Sequence, residues 1–221
     1  MIRILLTQEL PVYEGTVPMT KIKDTVEVFT DQFGVPHVFA NNEEDLFLVA
    51  GYIAARERLF QMSMVLNAVR GELASMLGDE YLSADIYLRT WRIHDISKKI
   101  TEKMDLKTKK IMEAFCQGIN FWIDETSDDL PLEFRILGIK PQYWQPSDVV
   151  GYARMLAHEL QSSWKAEIVY GAVLQYFGVN KLAEIYPEYG DSQPIISEQL
   201  KNKKIKLVYN QILEKEFFLR N

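Results

Sequence analysis

A single long apolar segment constrains the fold more than any other feature of this sequence. Residues 43–70 are hydrophobic on almost every side of a helical projection, which is typical of a helix buried in the interior. Asn41 or Asn42 can cap its first free N–H groups, acidic residues follow at the positive end, and Gly71 stands after the last turn. We predict one buried helix over this range.

Three charged residues interrupt that apolar segment. Arg56, Glu57 and Arg58 lie near its middle, where an unpaired buried charge would be costly. We interpret them as residues that stabilise the fold rather than as catalytic residues. Glu57 and Arg58 should find charged or hydrogen-bonding partners inside the fold or in a second chain.

The flanking patterns predict a mainly α fold with a small β-hairpin, an α+β arrangement. Residues 25–40 alternate in the manner of strands around a break at 32–34, with Val26, Val28 and Val38 facing inward. Apolar spacings of three and four predict helices over 106–124 and from Ser147 onward, and a further helix over 166–177. The predicted buried face of the helix after Ser147 comprises Val149, Ala153, Leu156, Leu160 and Trp164.

Composition limits the possible partners and the compartment. The 25 basic and 31 acidic residues give a net charge of −6, so no overall positive field attracts nucleic acid. The longest apolar run, 46–55, is far below the roughly 20 residues that span a bilayer. The first ten residues lack the features of a signal peptide, which predicts a cytoplasmic location unless a leader has been removed. Cys116, the single cysteine, cannot form an internal disulfide and lies on a predicted core stripe.

No self-contained catalytic site is evident in the sequence. The three histidines, His37, His94 and His158, are far apart, and none lies in a zinc-binding spacing. No phosphate-binding glycine loop or nucleophile elbow is present. Asp85 and Arg89 are spaced to pair on one helix face, which favours an ordinary surface ion pair. We therefore assign no catalytic residue to this chain.

Several irregular segments in a fixed order carry more information than any single motif. They are Gly34-Val35-Pro36-His37 with the helix after it, Arg70-Gly71-Glu72-Leu73, Leu130-Pro131-Leu132-Glu133-Phe134, and Pro141-Gln142-Tyr143-Trp144-Gln145-Pro146-Ser147-Asp148. Together they resemble the N-terminal, or α-chain, part of the penicillin acylase family, and the likeness extends over residues 10–189.

This resemblance implies an N-terminal nucleophile hydrolase with a four-layer αββα sandwich. In that family a precursor cuts itself, and the serine that begins a second chain attacks an amide with its own amine as the base. An α-amino group with a pKa of about 7.7 to 8.0 suits that role. The cleavage junction of the family, Gly-Ser-Asn, is absent from this sequence. We therefore expect this chain to be the inactive half of a hydrolase of N-acyl compounds, β-lactams or others.

The resemblance also implies a substrate-binding surface. Ala157, Leu160 and Gln161 match the family helix that forms a wall of the acyl-binding pocket. Members that prefer aromatic acyl groups have an arginine–phenylalanine pair where this chain has Leu160 and Gln161, so an aliphatic acyl group is favoured. The alternative is that these residues are ordinary helix packing.

A metal ligand is implied in the same way. Glu167 matches the glutamate that the α-chain contributes to a calcium site whose other ligands lie in the second chain. Calcium takes six to eight oxygens, so one glutamate is a ligand and not a complete site, and we expect no tight binding by this chain alone. Without the resemblance, the sequence pattern indicates only that Glu167 is a solvent-exposed residue of a helix.

Two predictions concern the organisation of the whole protein. Residues 1–194 form the α-chain-like domain, and 195–221, which are richer in lysine, form a linker before the missing catalytic chain. The β-chain of the same precursor is the expected partner. The rival hypothesis is a stand-alone helical interaction protein without catalysis, which would be a soluble monomer without a large exposed apolar face.

Overall fold

Helices form most of the protein, and a two-stranded antiparallel ribbon accompanies them. The structure is a computed structural model that describes residues 13–161 and 163–185. It confirms the predicted mainly α fold with a small hairpin. The elements are β1 (Glu27–Thr30), β2 (Pro36–Phe39), α1 (Glu43–Arg70), α2 (Leu73–Leu77), α3 (Leu82–Trp91), α4 (Ile93–Glu102), α5 (Leu106–Glu125), α6 (Leu132–Leu137), α7 (Pro146–Leu160), α8 (Ser163–Phe177) and α9 (Val179–Ile185), with a 3₁₀ turn at Asp79–Tyr81 between α2 and α3.

The ribbon is organised by its turn. The Oδ1 of Asp31 accepts hydrogen bonds from the backbone N–H groups of Phe33 and Val35 at 2.9 and 3.0 Å. Val28 pairs with Val38 in the ladder, and Val38 packs against the core beside α1 as predicted. Val28 is exposed, so its predicted inward position is wrong. Val26, just before β1, packs against the same core as Val38, so its predicted inward position is confirmed.

Helix α1 starts and ends where the sequence predicts. Asn42 caps it, because its Oδ1 accepts the N–H of Asp45 at 2.9 Å, and Gly71 ends it with a φ of 65°. The carboxylate of Asp45 is buried and accepts the N–H groups of Lys23 and Asp24 at 3.0 and 2.9 Å. Burial raises the pKa of Asp45, but these donors and the Asn42 amide outweigh it and the pKa is lowered. The start of α1 therefore holds the preceding loop in place.

The three charged residues in the middle of α1 differ in burial, since the side chain of Arg56 is only 11% exposed whereas Glu57 and Arg58 lie at the surface. Arg58 has φ −142° and ψ 26°, which interrupts the helix, and both Glu57 and Arg58 are exposed. The Arg56 Nε donates to Glu57 Oε1 at 3.0 Å, and its guanidinium lies 4.7 Å from the centroid of the Tyr13 ring. The prediction holds for Glu57, whose carboxylate accepts hydrogen bonds from Arg56 and, at 3.3 Å, from the hydroxyl of Tyr13. It is not confirmed for Arg58, whose side chain is exposed at the interruption of the helix. Their contact with a second chain stays a prediction.

Helices α1 and α5 approach each other closely at two glycines. A Cβ atom at Gly51 would lie 2.0 Å from the carbonyl oxygen of Phe115, and one at Gly118 would lie 1.8 Å from that of Leu48. These separations are far below van der Waals contact, so only glycine permits this helix pair. The two backbones form the centre of the core.

The hydrophobic core surrounds this helix pair. The thiol of Cys116 is within it, and burial raises its pKa to about 12, which agrees with the prediction of an inert core residue. The most central cluster joins α1, α5, α6 and the segment before α7, and it comprises Ala55, Leu59, Met62, Leu66, Cys116, Ile119, Ile123, Phe134 and Trp144.

Helix α7 differs from its prediction in its start and in its buried face. The sequence pattern favours Ser147 as the cap residue, but the helix begins at Pro146 after the cap residue Gln145, and Ser147 is buried in its first turn. Trp164, predicted on the buried face, belongs to α8 and not to α7. Of the other residues of that predicted face, Val149 packs against the core, but Leu160 is 78% exposed, Leu156 is about half exposed and Ala153 is exposed as well. The inner face instead contains Gly151, where a Cβ would lie 2.6 Å from Cγ1 of Val69 on α1. The residues of α7 that are buried are Ser147, Asp148, Val150, Gly151 and Met155.

The described chain divides into two compact units. The first covers 13–161, and helices α8 and α9 belong to the second. The predicted domain boundary between residues 194 and 195 and the predicted linker lie outside the described residues and stay predictions. Within 13–161 and 163–185, no helix is long and apolar enough to span a membrane.

Candidate functional site

Two of the sequence segments that carry the family resemblance, the one that begins at Arg70 and the one that ends at Asp148, meet at the start of α7. The Nη2 of Arg70 lies 2.9 Å from Oδ2 of Asp148, whose side chain is completely buried. The Nη1 of Arg70 donates to the Oε1 of Gln142. The Oδ2 of Asp148 also accepts the N–H of Gln145 at 3.0 Å. One buried ion pair therefore fixes the end of α1 to the beginning of α7.

The segment after α1 is held by two side chains of α3. Both carboxylate oxygens of Asp85 accept backbone N–H groups, those of Leu73 and Ala74, at 2.8 Å each. The Nε of Arg89 donates to the carbonyl oxygen of Gly71 at 2.9 Å. The predicted surface pair between Asp85 and Arg89 is therefore wrong. Each residue bonds to the backbone of the Arg70-Gly71-Glu72-Leu73 segment, which the spacing of two charges on a helix cannot reveal.

The segment that leads into α7 is fixed on α5 by Asn120. Its side chain makes two hydrogen bonds with the backbone of Trp144, donating to the carbonyl oxygen at 2.9 Å and accepting the N–H at 2.7 Å. The hydroxyl of Tyr143 donates to Asp124 on the same helix. Because the start of α7 is held on both sides, the position of its last turn is also determined.

The predicted substrate-binding residues occupy that last turn. Ala157, Leu160 and Gln161 are all exposed. The N–H of Gln161 donates to the carbonyl oxygen of Ala157 at 3.1 Å, and at Gln161 the chain leaves the helix. These side chains form an open apolar surface with one amide at its edge. Such a surface can serve as one wall of a pocket, and its role in binding stays a prediction.

An aromatic group that the sequence analysis did not identify adjoins this turn. The ring of His158 lies 4.7 Å from that of Trp91 on α3, measured between centroids, and its Nε2 lies 3.4 Å from the hydroxyl of Tyr87. Tyr87 and Trp91 are four residues apart, so they share one side of α3. The four-residue spacing of Tyr87 and Trp91 could have predicted that the two rings share a helix face. Nothing in the sequence, however, places α3 next to His158.

The predicted metal ligand lies in the second unit. Glu167 is exposed on α8. Its carboxylate offers the hard oxygen donors that calcium takes, so it fits the role of one ligand. No group of three or more His, Cys, Asp and Glu side chains suited to a metal occurs among the described residues. The calcium prediction thus depends on ligands from elsewhere and stays a prediction.

Comparison with known proteins identifies the relatives of this chain. Penicillin acylase 2 proenzyme of Pseudomonas sp. (strain SE83) is 29% identical over 162 residues, which cover 73% of this chain and 21% of that protein. The acyl-homoserine lactone acylase QuiP of Pseudomonas fluorescens (strain Pf0-1) is 27% identical over 198 residues, covering 90% of this chain and 24% of that protein. The chain thus spans about a quarter of the length of these curated relatives.

A solved structure has the same fold. A chain of the thermostable penicillin G acylase from Alcaligenes faecalis superposes with a TM-score of 0.63 at 23% identity, covering 78% of this chain and 96% of that chain. The family model described as penicillin amidase matches residues 25–200, which is most of the sequence. Both curated relatives are named as acylases, and this chain belongs to the penicillin amidase family.

Proposed function

We propose that this chain is the non-catalytic part of an acylase that hydrolyses N-acyl amides, and that it supplies the scaffold and one wall of the acyl pocket. The observation that carries the proposal is the family match over residues 25–200 in a chain that spans about a quarter of its relatives. The catalytic serine then lies in the rest of the complete protein, in a second chain made from the same precursor.

The size of the solved relative supports this division. The present chain covers 96% of the matched chain in the penicillin G acylase structure, so that structure contains a chain of similar length. The curated proenzyme is far longer, since the match covers only 21% of it. The complete protein would then be an αββα sandwich. Helices α1 to α7 and the β1–β2 ribbon would be this chain's contribution.

The proposed reaction takes place on the serine that begins the second chain. Its free amine accepts the hydroxyl proton as the oxygen attacks the amide carbon. The protonated amine then returns that proton to the leaving nitrogen, the carbon–nitrogen bond breaks, and water hydrolyses the resulting ester. Donors in the second chain stabilise the oxyanion. In this scheme the exposed last turn of α7 contacts the acyl group.

The acyl group is proposed to be aliphatic. Ala157 and Leu160 present small and branched apolar side chains, and Gln161 presents a neutral amide. This surface has no aromatic ring at those three positions to stack on a phenyl group. Acyl-homoserine lactone acylases are among the relatives that match most of the chain.

Calcium is proposed as a structural ion at the boundary of the two chains. Glu167 would supply one carboxylate, and the second chain would supply the remaining oxygens. The ion would join the two chains. Calorimetry of this chain alone should then detect no tight calcium binding.

The proposal is tested with the complete precursor and with this chain alone. The complete protein should yield two chains, the second beginning with serine by mass spectrometry, and should release amines from straight-chain N-acyl amides. Residues 1–221 purified alone should release none. Amide cleavage by that chain, or an intact precursor that neither divides nor hydrolyses any acyl amide, would contradict the proposal.

A further inference from the structure

Helix α4 carries an apolar surface that neither the core nor the proposed reaction uses. Its inner side contains Ile93 and Ser97, both of which are buried. Ile96 and Ile100 are four residues apart, so they lie on one side of the helix, and they are 36% and 38% exposed. With the loop that follows, this side forms a shallow groove that is open to solvent. We call it the α4 groove, and it is lined by Ile96, Lys99, Ile100, Lys103, Met104 and Asp105.

The α4 groove has a positive edge. Lys99 and Lys103 are both exposed and four residues apart, so they too lie on one side of the helix. Neither forms an ion pair with any residue that the structure describes. The carboxylate of Asp105 also lines the groove, but it caps α5, because its Oδ1 accepts the N–H of Thr108 at 3.0 Å. The two ammonium groups are therefore available to a negatively charged partner.

The positive edge contrasts with the charge of the whole chain. Residues 92–110 contain seven basic and three acidic side chains, whereas the complete sequence has a net charge of −6. Part of the local excess is used within the fold, since Lys107 pairs with Glu43 at 2.9 Å and Arg92 with Asp95 at 3.3 Å. Exposed charges separated by more than about 8 Å are largely screened at physiological salt. A negatively charged surface would therefore be attracted by the lysines of the α4 groove and not by the protein as a whole.

The partner of the α4 groove has to match both its apolar floor and its positive edge. A nucleic acid would pair with the lysines but leave the isoleucines in water. A small ligand would stay largely exposed in so shallow a groove, whereas ligand sites bury most of the ligand surface. Lysine is depleted at protein–protein interfaces, which disfavours a protein partner. An anionic lipid bilayer accepts apolar side chains below its head groups and binds lysine ammonium groups at its phosphates.

We propose that the α4 groove is a contact site for the surface of an anionic phospholipid bilayer. Ile96 and Ile100 would enter the boundary between head groups and acyl chains, and Lys99 and Lys103 would lie beside lipid phosphates. Two lysines and two partly exposed isoleucines support weak, reversible association and not permanent anchoring. This inference is independent of the proposed function, because no catalytic group takes part in it.

The experiment measures co-sedimentation of the complete protein, whether or not it divides into two chains, with lipid vesicles. It should bind vesicles of an equal mixture of phosphatidylglycerol and phosphatidylcholine much more strongly than vesicles of phosphatidylcholine alone. Lys99→Gln combined with Lys103→Gln should weaken binding to the anionic vesicles about thirtyfold, since each lysine near such a surface contributes roughly fivefold. Ile100→Ser, which leaves the charge unchanged, should weaken the same binding about fivefold.

The matched control removes the same charge from another part of the fold. Arg135 and Lys140 are exposed in and after α6, so Arg135→Gln combined with Lys140→Gln should leave the affinity for anionic vesicles nearly unchanged. Equal losses in the two double variants would overturn the inference, as would equal binding to anionic and neutral vesicles. Absence of binding by the complete protein, or failure of the Lys99 and Lys103 variant to assemble, would also overturn it. Either result would mean that a protein surface covers the groove or that lipid does not bind there.

Discussion

At the scale of single residues, the buried carboxylate of Asp148 has the most demanding environment. It pairs with Arg70 at 2.9 Å and accepts the N–H of Gln145, and its side chain is completely buried. Removing one partner of a buried ion pair leaves the other charge uncompensated. We expect Asp148→Asn to lower the free energy of unfolding by about 3 kcal/mol, measured by urea denaturation of the intact protein.

The same substitution at an exposed pair is the control. Asp129 lies 3.6 Å from Arg135 at the surface, where solvent screens the charges. Asp129→Asn should change the free energy of unfolding by no more than about 0.5 kcal/mol. Equal effects of the two variants would show that Arg70 and Asp148 do not depend on each other for stability.

At the scale of helices and strands, the sequence predicts the elements better than the faces that they bury. The limits of α1 and α5, predicted from caps and periodicity, agree closely with the structure. The predicted buried face of α7 disagrees with the structure, because the outer apolar residues of this helix recur with the same period as the inner ones. The inner face is marked by Gly151, which lets the helix approach Val69 on α1. Close approach depends on which helices are neighbours, and one sequence does not give that information.

The α1–α5 pair provides the prediction at this scale. A methyl group at Gly118 would lie 1.8 Å from the carbonyl oxygen of Leu48, and neither backbone can move without separating the core. Gly118→Ala should therefore cost about 3 kcal/mol or more in the free energy of unfolding. Gly171→Ala in α8 has nothing within 4 Å of the added methyl group and should stabilise its helix by up to about 1 kcal/mol. Thermal unfolding of both variants is the measurement, and a stable Gly118→Ala protein would contradict this packing.

At the scale of the whole molecule, the candidate site could be predicted only in part. The resemblance names Ala157, Leu160 and Gln161, and the structure places them together at the end of one helix. It does not name Tyr87 or Trp91, since their proximity to His158 depends on how α3 and α7 pack. The ion pair of Arg70 with Asp148 also joins residues 78 apart in the chain. Tertiary contacts of this kind have no local signature.

The exposed apolar surface distinguishes the proposed half-enzyme from the rival, a stand-alone interaction protein. Leu160 on α7, Phe29 on the ribbon and Phe33 in its turn are largely exposed, so a partner would remove much apolar area from water. We expect this chain alone to bind a hydrophobic dye strongly and to self-associate in size-exclusion chromatography. The complete, processed protein should bind at least several-fold less dye per α-chain, because the second chain covers these surfaces. A monomeric chain without dye binding would favour the rival, and equal dye binding by both forms would show that the second chain lies elsewhere.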